Sequence, residues 1–428
     1  MRKKYKYPNS SKYSLDKILN FSNKQNYASI LISNKNNKDT YSKYETIFCF
    51  GAKEILSSNK DSFKNLKSFY KEFPDWAFGF LSYDLKNETE DMCSENIDNF
   101  RTPNLFFYIP ETIIFISDEG IKVESHLSKE EIDKILFEIE NENINWLEIP
   151  DIRLQFRETK EEYIQKIKSI KEHIQKGDIY EMNYCQELFS EGKKINPLSV
   201  FSELNDKSNA PFSVFFKFDN KYLLCSSPER FIQKQGDRII SQPIKGTRKR
   251  GENIVEDNVL LAELESSEKD RSENVMITDL VRNDLSKISK KSSVKVEELF
   301  GLYTFDRVHQ MITTISSQLD EKYNFVDVLE STFPMGSMTG APKIKAMELI
   351  EKYETTKRSI FSGAFGYITP AGDFDFNVVI RSILYDEINA LISVMVGGAI
   401  TIRSDEYEEY EECLVKAKAM IDVLKNER

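Results

Sequence analysis

Strand-length apolar runs alternate with helical stretches through most of this chain, and that ordering limits the fold more than any other feature. "IYEMNYCQELFS", "FSVFFKF", "KYLLCSS", "DRIISQPI" and "ALISVMVGGAITI" read as strands, and residues from about 256 to 284, 325 to 332, 342 to 353 and 406 to 425 as helices. Such a mixture predicts α/β architecture with large sheets. Residues 1–150 are rich in Asn, Lys, Ser and aromatics, with shorter strand-like runs such as "YASILIS", "TIFCFGA" and "ETIIFIS". In "NENINWLEIPDIRLQF" the chain turns polar and meets Pro150, which predicts a boundary between regions 1–150 and 151–428. The next segment, "TKEEYIQKIKSIKEHIQKGD", carries Ile164, Ile167, Ile170 and Ile174 on one face. An amphipathic helix is predicted there, opened by Thr159 and stopped by Gly177.

Composition narrows the ligand. The formal charge of −11 over 428 residues argues against a nucleic-acid surface, so any anion has to be held by a local cluster of cations. Cys49, Cys93, Cys185, Cys225 and Cys413 are scattered, odd in number and without CxxC spacing, which suggests neither a disulfide framework nor a zinc site. No stretch approaches the ~18 apolar residues of a membrane span, and no apolar signal core follows the basic start "MRKKYKYPNSSKYS". A cytoplasmic protein with reduced thiols is expected.

Several segments could carry chemistry. "SQPIKGTRKRG" gathers Lys245, Arg248, Lys249 and Arg250 around a glycine and a threonine; it reads either as a solvated basic turn or as the seat of a reactive amine. A helix predicted over "EDNVLLAELESSEKDRSENVMITDLVRNDL" sets Asp270 and Glu273 on one face, and in the last helix Glu409, Glu412 and Lys416 line up beside an apolar stripe. A solvated acidic face and an ordinary ion pair explain these equally well. Two acidic helices facing one cleft would also suit Mg²⁺, which takes one or two carboxylates together with an anionic substrate. "FPMGSMTGAPKIKAMELIEKYE" runs from a glycine-rich loop into a helix with Pro342 near its first turn, an arrangement that offers free N–H groups to an anion. It lacks the Gly-Lys-Ser/Thr of a nucleotide-binding loop. Glu229 follows an apolar strand, where a desolvated carboxyl could act as a general acid, or could simply pair with Arg230. His309 reads more readily as a structural residue than as a catalyst. Arg381, in the apolar run "DFNVVIRSILY", calls for a carboxylate partner from protein or ligand.

Together and in this order, "NAPFSVFFKF", "SSPERF", "QPIKGTRKRG", "EKDRSENVMITDLVRNDL", "FPMGSMTGAPKIKAMELIE", "SGAFGYI", "DFNVVIRSI", "GGAITIRSD" and "EYEECLVKAKA" resemble the chorismate-utilising enzymes, the family of anthranilate synthase component I and aminodeoxychorismate synthase component I. "WAFGFLSYDLKNETE" resembles their N-terminal part. The resemblance implies a large two-sheet α/β sandwich with its active site in a central cleft, chorismate as substrate and Mg²⁺ as cofactor. It implies Glu273 and Glu412 as metal ligands with Asp270 and Glu409 as outer carboxylates. Asp270 stands where many members have the longer Glu, so direct coordination from it is not expected. Arg381, Lys416, Thr339, Gly397 and Gly398 are implied as the cradle for the substrate's carboxylates, and Thr247, His309 and Arg282 as further cleft-lining positions.

Within the family, Lys245 points to the aminodeoxychorismate branch, because that branch reads Pro-Ile-Lys-Gly-Thr where anthranilate synthases read Pro-Ile-Ala-Gly-Thr. The implied chemistry has Lys245 attack ring carbon 2 while Glu229 helps the carbon-4 hydroxyl leave. Ammonia then adds at carbon 4. Arg248, Lys249, Arg250 and Mg²⁺ are expected to lower the pKa of Lys245 and keep its amine neutral. Isochorismate- and salicylate-forming relatives carry a lysine on the strand matching "YEMNYCQEL", and this strand has none. No cysteine sits in an amidotransferase setting, so a separate glutamine amidotransferase is the implied ammonia source. The alternatives are an anthranilate synthase component I and a catalytically silent regulatory subunit.

Overall fold

The computed structural model describes residues 2–8, 11–35, 39–144, 146 and 151–425. Two sheets, of twelve and ten strands, organise them. In the larger sheet, Lys3–Tyr7, Gly120–Ser125, Thr112–Ser117, Thr46–Phe50 and Tyr27–Ile32 continue directly into Phe212–Phe218, Lys221–Ser227, Ser382–Asp386, Leu391–Thr401 and Glu181–Glu191. The smaller sheet is likewise shared, since Ala77–Leu81 pairs with Ala364–Ile368. Both sheets thus interleave strands from either side of residue 150. The predicted boundary at Pro150 itself lies outside the described residues.

Alternation along each strand builds the layers. Leu223 packs between the sheets with Val214, Phe216, Phe78, Phe80 and Phe365, while its neighbour Leu224 points to the opposite face with Phe215 and Tyr222. That outer face is covered by helices that include Lys160–Lys176, Lys343–Tyr353 and Glu406–Leu424. The outer face of the smaller sheet carries Ser62–Glu72, Glu268–Ser286 and Phe325–Thr332. Two apolar faces per sheet leave only this helix–sheet–sheet–helix order. The two-sheet sandwich expected from the sequence is therefore the fold.

Local signals explain most element ends. The helix Lys160–Lys176 opens with a reciprocal cap between Thr159 and Glu162, and closes at Gly177 with φ of 84°. Two expectations are corrected. The helix read as continuous from 256 is two, Ile254–Ser266 and Glu268–Ser286, because Ser267 is extended and its hydroxyl accepts the Asp270 N–H at 3.2 Å. Arg381 is not inside a strand. It stands at φ 52°, just before Ser382–Asp386, where the chain crosses from the smaller sheet to the larger. Among the described residues no helix is long and apolar enough to cross a membrane, and all five cysteines are free thiols.

Candidate active site

Five elements converge on one cleft: the strand Ile244–Lys249 at the rim of the smaller sheet, the strand pair Glu181–Glu191 and Leu391–Thr401, and the helices Glu268–Ser286 and Glu406–Leu424. The Ser267 break starts the second helix just before its two acids, placing Asp270 and Glu273 in its first turns. Carboxylates are favoured there by the backbone dipoles. Gly246, at φ 91°, lets the Ile244–Lys249 strand run so close to that helix that a Cβ would touch the Asp270 side chain at 3.0 Å.

Lys245 is 8% exposed and donates to Glu181 Oε1 at 2.6 Å. Burial pulls its pKa down, but Glu181, Glu273 and Glu229 outweigh that and hold the amine above the ordinary lysine value. The expectation that the neighbouring cations keep Lys245 neutral is corrected. The remaining cations are engaged by other acids: Arg248 binds Asp270 Oδ2 at 2.9 Å, Arg250 binds Asp257 at 2.7 Å, and Lys249 stands exposed near Glu256.

Glu229 is buried and free of Arg230, which instead holds Asp39 and Asp375. It borders a small cavity walled by Phe231, Val281, Leu285 and Met335. Desolvation there raises its carboxyl to about 7, against the opposing pull of Ser337 and Lys245. Such a group is a proton donor near neutral pH.

The acidic side of the cleft is ordered by two lysines. Lys416 binds Glu412 Oε1 at 2.7 Å and the Gly397 carbonyl at 2.8 Å; its charge pulls the Glu412 carboxyl down to about 2, although nearly half of that side chain is open. Lys269 reaches Glu409 Oε1 at 3.1 Å. Gly398 lies directly against this group, and a Cβ on it would stand 3.0 Å from Glu409 Oε2 and 3.5 Å from Lys416 Nζ. Arg381 donates to the Lys416 carbonyl at 3.2 Å and has no carboxylate partner among the described residues. Its guanidinium is available to an anionic ligand.

Glu273 Oε1 is buried with no hydrogen-bond partner, and burial raises the Glu273 carboxyl to about 7. An orphaned carboxylate oxygen of this kind suits a cation. Among the described residues no three His, Cys, Asp or Glu side chains stand close enough to form a closed cage. Glu273 and Glu412 on facing helices nevertheless fit Mg²⁺, which completes its shell with water and substrate oxygens.

The structure gives the other residues singled out from the sequence the following surroundings. Arg282 lies on the exposed face of its helix, paired with Asp279 at 2.6 Å, because the cleft face is set by Asp270, Glu273, Asn274 and Ile277. It does not line the cleft. His309 is 1% exposed, with its two ring nitrogens engaged by Thr304 and Asp257 at 2.9 Å each. That bonding ties the strand Val308–Gln318 to the helix Ile254–Ser266. Thr339 is fully buried and its hydroxyl is used by the Met335 and Gly336 carbonyls, so it shapes the loop. Thr247 is exposed, two positions beyond Lys245. Pro342 is the cap residue of the Lys343–Tyr353 helix, and Lys343 is bound to Asp284. Sequence reasoning missed Glu181 and Lys269. The first gave no clear signal, because its strand, EMNYCQELFSE, mixes polar with apolar residues.

The sequence pattern of the chorismate-binding enzymes matches residues 16–422. The chain belongs to this family. It is 30% identical to aminodeoxychorismate synthase component 1 of Bacillus subtilis over 86% of this chain and 83% of that enzyme. With the Escherichia coli enzyme of the same description it shares 33% over 82% of this chain and 77% of the relative. Anthranilate synthase component 1 of Aquifex aeolicus is also 30% identical, over 88% and 80%. The crystal structure of anthranilate synthase component I from Streptococcus pneumoniae superposes with a TM-score of 0.80, covering 90% of this chain and 93% of that one at 24% identity. The latter likeness concerns the fold alone.

Proposed function

We propose that the chain aminates chorismate to 4-amino-4-deoxychorismate, with Lys245 as covalent nucleophile and ammonia supplied by a separate glutamine amidotransferase. The observation that carries this reading is the buried placement of Lys245 in the cleft that also contains Glu229, a carboxyl protonated near neutral pH. A serviceable amine and a proton donor are the two groups that an allylic displacement of a hydroxyl requires.

Arg381 and Lys416 receive the substrate's carboxylates, with Gly398 leaving the room they need. Glu273 and Glu412 would hold Mg²⁺, which when bound would supply charge neutralisation for a substrate carboxylate. Lys245 then forms a bond to ring carbon 2, the two conjugated ring double bonds shift, from carbons 1–2 to 1–6 and from 5–6 to 4–5, and the carbon-4 hydroxyl leaves as water with the proton of Glu229. Ammonia adds at carbon 4, both double bonds shift back and the lysine departs. Cytoplasmic residence and a role in making 4-aminobenzoate for folate accord with this chemistry.

The test is product identification from purified protein given chorismate, Mg²⁺ and ammonium salt. 4-Amino-4-deoxychorismate is expected, and Lys245→Ala is expected to lower its formation at least ~100-fold. Anthranilate as the main product would overturn the assignment in favour of an anthranilate synthase. Absence of any turnover would favour a regulatory subunit.

A further inference from the structure

Lys245 presents a difficulty that the proposed chemistry leaves open. An amine attacks only when neutral, yet this one is held as an ammonium, chiefly by the charge of Glu181 against the opposing effect of burial. Its proton must go somewhere within the closed site. Glu229 already holds a proton near neutral pH, and Glu273 makes no hydrogen bond to Lys245 among the described residues. The remaining carboxylate is Glu181, whose Oε1 accepts the only hydrogen bond of the Lys245 side chain among the described residues.

Glu181 is built for fixed placement. It is the first residue of the strand Glu181–Glu191, paired on one side with Thr401 and on the other with Ala341. Gly340, beside Ala341, approaches so closely that any Cβ there would stand 2.2 Å from the Glu181 carbonyl. The side chain has no exposure to solvent, and its second oxygen, Oε2, has no hydrogen-bond partner among the described residues. A buried carboxylate with one bond at 2.6 Å and one vacant oxygen is poised to take a proton, not only to balance a charge.

We propose that Glu181 is the proton acceptor that frees the Lys245 amine, and the donor that recharges it on departure. The inference rests on the nucleophile reading above. In the forward step the Nζ–H bond breaks, its electron pair stays on nitrogen, and the proton moves to Glu181 Oε1. The amine then bonds to ring carbon 2 while Glu229 protonates the leaving hydroxyl. When ammonia adds at carbon 4, the carbon 2–nitrogen pair returns to Lys245. The new carbon-4 ammonium loses a proton to Glu229, and Glu181 returns its own to Lys245. No proton need be exchanged with water. Substrate binding favours the first transfer, because excluding water penalises an ion pair more than the neutral acid and amine that replace it.

The test compares Glu181→Gln, Glu181→Ala and Lys245→Ala with the unaltered protein. Glutamine keeps the shape and an acceptor oxygen but cannot hold the proton. Glu181→Gln is expected to lower kcat at least ~10-fold near neutral pH, with log kcat climbing at a slope near one as pH rises, and with KM for chorismate changed less than ~3-fold. Added formate is expected to restore the rate of Glu181→Ala but not that of Lys245→Ala. Unchanged kcat in Glu181→Gln, or a loss equal at every pH with no formate rescue in Glu181→Ala, overturns the assignment. Full aminodeoxychorismate formation by Lys245→Ala would instead overturn the nucleophile reading itself, so the two failures are distinguishable.

Discussion

Lys269 spans the cleft from the first turn of the helix Glu268–Ser286 to Glu409 Oε1 on the last helix, at 3.1 Å. Its ammonium also acts on Glu273 and Glu412, so a fixed positive charge sits inside the field that would hold a divalent cation. Like charges compete for the same carboxylates. Lys269→Met is therefore expected to tighten Mg²⁺ binding, lowering the dissociation constant by roughly threefold or more, as isothermal titration would measure. The same variant should melt earlier, because buried Glu409 keeps only the Ser404 hydroxyl as a side-chain donor. Weaker or unchanged Mg²⁺ binding would mean that Lys269 does not share the metal's field.

Glu229 gives the pH dependence a definite sign. Its carboxyl is raised by burial from 4.5 to about 7, so between those values the folded protein binds a proton that the unfolded chain has released. Stability from this group is fully present below the unfolded value and is lost as pH rises through about 7. Glu229→Gln removes that dependence. Its melting temperature relative to the unaltered protein should climb across this window and level off above it. Activity should fall at least ~100-fold in the same variant, because glutamine cannot protonate the leaving hydroxyl. A melting difference that stays flat with pH would place the Glu229 carboxyl at its ordinary value.

The two-sheet architecture was legible because strand alternation and helix caps are local properties. Leu223 and Leu224 announce opposite faces, and Thr159 with Glu162 and Gly177 announce both ends of one helix. The acids Asp270, Glu273, Glu409 and Glu412 were legible as a group for a related reason: each pair recurs at helical spacing. What the sequence hid was direction across elements. Arg282 shares a helix with Glu273 but points to solvent, and Arg248 and Arg250 bind Asp270 and Asp257, acids 22 and 7 positions away that no local pattern pairs with them. Glu181 was hidden because its partner lies 64 positions away, on a strand of the other sheet.

Gly398 offers a substitution that probes space without straining backbone. A Cβ there meets only side-chain ends, Glu409 Oε2 at 3.0 Å, Lys416 Nζ at 3.5 Å and Glu412 Oε1 at 3.9 Å. Gly398→Ala should fold normally while displacing this cluster, raising KM for chorismate at least ~10-fold with a melting temperature within a few degrees of the original. Gly340→Ala is the contrast, since its Cβ would meet backbone at 2.2 Å. That variant should lose fold and activity together. A Gly398→Ala enzyme with unaltered KM would show that the substrate does not approach this glycine.

Arg381 separates binding from stability most sharply. Burial lowers its pKa below the ordinary arginine value, Glu412 only partly offsets this, and among the described residues the guanidinium's one hydrogen bond goes to the Lys416 carbonyl at 3.2 Å. A desolvated guanidinium without a carboxylate is a cost to the folded protein that a ligand carboxylate would relieve. Arg381→Met keeps an unbranched apolar stem and removes the charge. Its melting temperature should hold or rise in the absence of substrate, whereas KM for chorismate should rise at least ~10-fold and kcat should fall less. Chorismate should also stabilise the unaltered protein against heat more than it stabilises the variant, because ligand binding adds to stability in proportion to affinity. A variant that melts earlier and binds chorismate normally would make Arg381 a structural residue and leave the substrate's carboxylates to Lys416.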